Sequence, residues 1–279
     1  MPERRFRHRS KKKSNNDLYK VDNVMKYTAF EFSVIDNVGH IRLNCPDRGN
    51  PFDKAFCEEF KALSVECGER DDVRAVLIDA AGKNFSVGGD LKSFLKEPER
   101  LPLKFKQMTA DLHMGVARFA RNDEPVVLAA HSLLVGGAVA LAAGADFVYA
   151  TPESRFYAAF AAISVCGDTG VSYFLPRRVG SRKALEFLML NEMWTAEKAL
   201  EAGLINGIVE QEKLFDHCMT IAKRLANGPT QVYGQMRRLL LNSFGESIDT
   251  QLEMEARSMV DCARSPETIN AMSKVLNKA

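Results

Sequence analysis

The stretch "ISVCGDTGVSYFLPRRVG", residues 163–180, is mostly apolar or small, yet it holds Asp168 between Gly167 and Thr169. A carboxylate there has two readings. Aspartate is among the best residues for starting a helix, because its side-chain oxygen accepts an N–H of the first turn, and "TGVSYFLPRRV" follows it. Alternatively, Asp168 is a base. Phe156, Phe160 and Val165 lie close in sequence, and apolar neighbours lift a carboxylate from its reference value of about 3.9 toward a working range. The roles are partly exclusive, since backbone N–H groups bound to a carboxylate lower its pKa and weaken it as a base.

Two further places could take part in chemistry. "FSVGGDLKSF" (85–94) and "LLVGGAVALAAG" (133–144) each put paired glycines before a helix-like segment. Glycine lets backbone approach a ligand closely. The first turn of a helix leaves N–H groups without intrahelical partners. Together they can supply donors for a developing oxyanion. Neither loop has the spacing of the common nucleotide-binding fingerprints. Arg48 and Lys54 are either contacts for an anionic ligand or solvated surface charges. Cys166 has no nearby basic residue in sequence to lower its pKa.

The elements that must position these residues can be read from periodicity. "AFEFSVIDNVGHIRLN" alternates about a "DNVG" turn, the pattern of a β-hairpin. "NPFDKAFCEEFKALSVECGERDD" carries Phe56, Phe60, Leu63 and Cys67 at helical spacing. "VRAVLIDAAG" and "EPVVLAAH" are short apolar strands, with a helix between them over roughly residues 101–121. "GGAVALAAGAD" is a small-residue helix, and "FVYATPESRFYA" holds two short strands. From about residue 169 the pattern is helical to the end. Strands alternating with helices, followed by an all-helical third, predict an α/β core with a helical appendage.

Composition limits the class. A 46% hydrophobic and 27% charged chain of 279 residues is an ordinary globular protein. No apolar run reaches the roughly 18 residues of a membrane span. The net charge of +2 hides a basic tail: residues 1–20 carry eight Lys/Arg against Glu3 and Asp17. The tail "RRFRHRSKKKSNN" lacks the apolar segment of a secretory signal, so export is not expected. Residues 1–27 are read as a basic, disordered tail; a transit peptide or a nucleic-acid arm is the alternative, and nucleic acid is not the expected partner. The six cysteines show neither C-x-x-C nor zinc-site spacing, which points to reduced thiols and no metal. A cytoplasmic location is expected, with a mitochondrial one as the alternative.

The ordered set "LNCPDRGNPFD", "FSVGGDLKSF", "AAHSLLVGGAVALAAGADFVYATPESRF", "GDTGVSYFLPRRVG" and "WTAEKALEAGLINGIVE" resembles the crotonase (enoyl-CoA hydratase/isomerase) superfamily over residues 28–279. The resemblance implies a spiral of β-β-α units over 28–215. It also implies a C-terminal helical trimerisation region over 216–279, giving a homotrimer or a hexamer. The implied substrate is an acyl-CoA thioester, with no cofactor beyond the coenzyme A it carries. The N–H groups of Gly89 and Gly137 are implied to form an oxyanion hole. Phe85, Val87, Leu91, Gly136, Phe160 and Arg48 are the expected substrate contacts. The two glutamates of the family's hydratases match Ala140 and Phe160 here, neither of which can move a proton. In some isomerases of the family the base comes from the loop matching "GDTG", which implies Asp168 as a single acid/base for a double-bond shift. Asp90 and His131 match structural positions. A lyase or hydrolase of the same family, or a catalytically silent acyl-CoA- or RNA-binding member, are the alternatives.

Overall fold

The computed structural model describes residues 26–277. The chain opens with the hairpin β1 (Phe30–Ile35) and β2 (Val38–Leu43). Its turn residues Asp36 and Asn37 both adopt positive φ, 51° and 63°, which Asp and Asn tolerate and which matches the strand twist. Helix α1 (Lys54–Glu69) follows, started by Asp53, whose carboxylate accepts the Phe56 N–H at 3.0 Å. Then come β3 (Ala75–Ala80), the short α2 (Leu91–Phe94), α3 (Leu101–Phe119), β4 (Val126–Ala130), β5 (Leu133–Val135) and α4 (Gly137–Gly144). The rest runs β6 (Phe147–Ala150), β7 (Arg155–Tyr157), α5 (Val171–Val179), α6 (Ser181–Met189), β8 (Met193–Thr195), α7 (Ala196–Ala202), β9 (Gly207–Ile208), α8 (Gln211–Ala226), α9 (Thr230–Asn242), α10 (Ile248–Ala263) and α11 (Pro266–Leu276).

Six strands form one sheet in the order β1-β2-β3-β4-β6-β9, all parallel after the first hairpin. A second sheet, β5-β7-β8, stands apart from it. Parallel strands need both faces covered. On one face the aromatic chain Phe30, Phe56, Phe60 and Phe119 packs between the sheet and α1 and α3. On the other, α8 lays Leu214, Cys218, Met219 and Ala222 over Val38, Leu77, Val127 and Ala129.

Three expectations are corrected. The region after residue 169 is not all helix, because β8 and β9 lie within it. The domain boundary at 215/216 falls inside α8, which covers a face of the main sheet. The expected tail 1–27 lies mostly outside the described residues, but Tyr27 already packs on the body, donating its hydroxyl to Glu66 at 2.6 Å. Beyond α8, α9 is tied down by Arg237, which binds Asp146 and the carbonyls of Phe119 and Glu124. Helices α10 and α11 bury no residue at all. Among the described residues, no helix is long and apolar enough to cross a membrane.

Candidate active site

The two glycine loops lie side by side because backbone pairs clamp them. Ser86 N–H donates to the Leu133 carbonyl at 3.0 Å, and Val135 N–H donates to the Ser86 carbonyl at 3.0 Å. Phe52 N–H holds Gly88 at 2.8 Å, while Gly136 N–H donates to Tyr157. Gly88 and Gly136 turn the chain with φ of 80° and 57°, conformations that exclude most side chains. The turns leave the N–H groups of Gly89 and Gly137 with no acceptor among the described residues. Both glycines line one cavity of about 290 Å³. Space is tight behind each. A β-carbon at Gly137 would lie 2.6 Å from the Phe52 ring, and one at Gly89 would lie 2.9 Å from the Phe94 ring.

The rest of the cavity wall is apolar. Helix α3 contributes Phe105, Met108 and Leu112; Leu91, Val87, Phe160, Ile163 and Val165 complete it. Among the described residues its single carboxylate is Asp168. Burial pushes the Asp168 pKa up, opposed by a hydrogen bond from the Thr169 hydroxyl (2.9 Å to Oδ1) and by the nearby His113 imidazole. The carboxylate does not cap α5. The N-cap there is Gly170, with no side-chain cap bond, and it is the backbone carbonyl of Asp168 that accepts the Val171 N–H. The helix-start reading therefore fails two residues short of the helix. Cys57 also faces the cavity, its thiol pushed up to about 12 by burial first and by Asp168 next.

The structure brings Gly89, Gly137, Asp168, Val87, Leu91, Gly136 and Phe160 together, and separates two expected contacts from them. Phe85 is fully buried in the core with its ring against His131, and the cavity begins only at Val87. Arg48 bridges Asp53 and Asp90 at 2.8 and 2.7 Å, tying together the residues that start α1 and α2. Lys54 pairs with Glu58. Phe156, expected to desolvate Asp168, points into the core from the middle of β7, and the wall starts two residues later at Ala158. Ala140 is buried in α4 away from this cavity, whereas Phe160 lies in its wall. His131 binds the Gly82 carbonyl at 3.1 Å, its pKa held down by burial. Sequence reasoning missed Cys57, His113 and the α3 face. The Phe105, Met108 and Leu112 spacing carries a helical stripe that could have signalled a wall.

Residues 34–277 match the enoyl-CoA hydratase/isomerase family. The 1,2-epoxyphenylacetyl-CoA isomerase of Escherichia coli K12 is 31% identical over 250 residues, covering 85% of this chain and 91% of that protein. The trans-2-decenoyl-[acyl-carrier-protein] isomerase of Streptococcus mutans is 30% identical, covering 83% and 90%. A 4-chlorobenzoyl coenzyme A dehalogenase of Arthrobacter is 25% identical, covering 87% and 88%. The crystal structure of an enoyl-CoA hydratase/isomerase from Cupriavidus metallidurans CH34 superposes with a TM-score of 0.83 at 25% identity, covering 91% of this chain and 95% of that one. With its fold, its paired glycine loops and these relatives in agreement, the chain belongs to the enoyl-CoA hydratase/isomerase family, of crotonase fold.

Proposed function

We propose that the protein is an enoyl-CoA isomerase that moves a double bond in an acyl-CoA thioester, with Asp168 as its single acid/base. The observation that carries this reading is one carboxylate in an apolar cavity also lined by Gly89 and Gly137, whose N–H groups have no acceptor among the described residues. The thioester oxygen accepts from both N–H groups. Asp168 takes a proton from C2 of a 3-enoyl chain, and charge collects on that oxygen as a dienolate. The same carboxyl returns the proton at C4, leaving the 2-enoyl product. Preorganised donors bind the charged oxygen better than the neutral carbonyl, which is what lowers the barrier. The burial that raises the Asp168 pKa makes it a stronger base than a solvated aspartate.

The two positions where hydratases of the family carry glutamates hold Ala140 and Phe160, so nothing at either activates water. The His113 imidazole beside Thr169 adds a second titratable group near Asp168, and this favours hydrolysis as the second reading. Asp168 would then take a proton from water attacking the thioester, with release of free coenzyme A. The exposed apolar residues of α9–α11 and of the turn after α9, among them Met236, Leu240, Phe244, Met259 and Met272, support assembly with further copies as a trimer or hexamer. Incubation with a 3-enoyl-CoA decides between the readings. The 2-enoyl chromophore should appear without free thiol. Thiol release without that chromophore would replace isomerisation by hydrolysis.

A further inference from the structure

Thr169 is fully buried, and its φ is +55°. A β-branched residue in the left-handed region is an outlier that persists only when its surroundings hold it there. Two hydrogen bonds do so. Its N–H donates to His113 Nε2 at 3.2 Å, and its hydroxyl donates to Asp168 Oδ1 at 2.9 Å. Its Oγ1 also sits 2.9 Å from where a β-carbon on Gly137 would be. Thr169 thus binds the carboxylate and lies beside Gly137, which lines the same cavity.

We propose that Thr169 is a positioning residue: its left-handed backbone, held by His113, ties Oδ1 of Asp168 and leaves the second oxygen to face the substrate beside Gly137. This rests on the reading of Asp168 as the proton-transfer group. With Oδ1 occupied as an acceptor, proton transfer runs through Oδ2. A hydrogen bond to the ionised carboxylate also favours that form, so its loss raises the pH at which Asp168 loses its proton. The other titratable groups about Asp168 are His113 of α3, Cys57 of α1 and Cys166 in the same loop.

The test compares Thr169→Val, which keeps the shape and removes the donor, with Thr169→Ser, which keeps the donor. The readout is the pH dependence of kcat/KM on a 3-enoyl-CoA. Thr169→Val should move the acid limb to higher pH by about one unit, the scale of a hydrogen bond to a charged group. Thr169→Ser should return it to the wild-type position. A lower rate with an unmoved limb would overturn the proposal, since packing alone does not shift a titration. A second readout needs no turnover: the carbon-13 titration of the Asp168 carboxyl, assigned by its disappearance in Asp168→Asn. A shift there in Thr169→Val together with full activity in Asp168→Asn would retain the positioning contact and discard the isomerase reading. No shift there, with Asp168→Asn inactive, would do the reverse. Should Thr169→Val fail to fold, Thr169→Gly removes the hydroxyl and also relieves the backbone, and the same limb shift is expected.

Discussion

Gly137→Ala puts a methyl group where the structure has no room. The added carbon would lie 2.6 and 2.8 Å from two carbons of the Phe52 ring and 2.9 Å from Thr169 Oγ1. Phe52 cannot swing aside, because it is buried and its ring is stacked 3.8 Å from Phe56. The start of α4 must therefore shift, and the Gly137 N–H shifts with it. Two stability effects oppose each other. Alanine is the better helix former by about 1 kcal/mol, while overpacking a well-filled site costs about 1–3 kcal/mol. The net effect runs from neutral to a loss of about 2 kcal/mol, which lowers Tm by at most about 8 °C in a chain of this size. The catalytic effect is larger: loss of one oxyanion donor reduces kcat by about 10²–10³-fold. The assay is turnover of a 3-enoyl-CoA alongside a circular-dichroism melt. Gly144→Ala, at the other end of the same helix, is the control, since its new carbon would meet Phe174 at an ordinary 3.4 Å. A folded Gly137→Ala enzyme with turnover close to wild type would refute the oxyanion role.

Three further outcomes are expected. Hydration of crotonyl-CoA should be far below a typical kcat of about 10 s⁻¹, because Ala140 and Phe160 cannot activate water; hydration at that rate would remove the isomerase assignment. Sedimentation at micromolar concentration should show a trimer or hexamer, and Leu240→Asp together with Met259→Asp should dissociate it if α9 and α10 form the contact; a wild-type monomer would contradict this. Because burial raises the Asp168 pKa and only the ionised form is a base, kcat/KM should fall as pH drops through a limb above the ordinary aspartate range; a limb at the solvated value would show that the carboxylate is not desolvated.

Much of the fold was legible in the sequence because its signals are local. The β1–β2 hairpin is announced by two turn residues that tolerate positive φ, and α1 by its Phe56, Phe60 and Leu63 stripe. Strands β8 and β9, three and two residues long, were not legible, since pieces so short hold no period of their own between helices. The same contrast holds in the site. Each glycine pair is a local pattern, and so is the isolated carboxylate of the GDTG loop. The contact of His113 with Thr169 spans 56 positions and leaves no trace in spacing. Phe85 and Val87 differ in role for a tertiary reason: Ser86 bridges to Leu134, turning Phe85 into the core and leaving Val87 at the cavity edge. Asp168 has two readings in the sequence, and the structure separates them: α5 starts at Val171 with Gly170 as its N-cap and no side-chain cap bond.

The central claim is that Asp168 moves the proton, and Asp168→Asn tests it most directly. Asparagine keeps the shape and can still accept from the Thr169 hydroxyl, but it cannot take up a proton from carbon. The stability sign is also defined. A carboxyl whose folded pKa is raised favours folding below its unfolded pKa, and that contribution is lost as pH rises through the folded value. At neutral pH the ionised Asp168 is therefore a cost, and Asp168→Asn should melt no lower than wild type. With a 3-enoyl-CoA, the variant should bind substrate about as well and lose at least about 10²-fold in kcat, the lower end of general-base effects. A correctly folded Asp168→Asn protein that turns over at the wild-type rate would contradict the account.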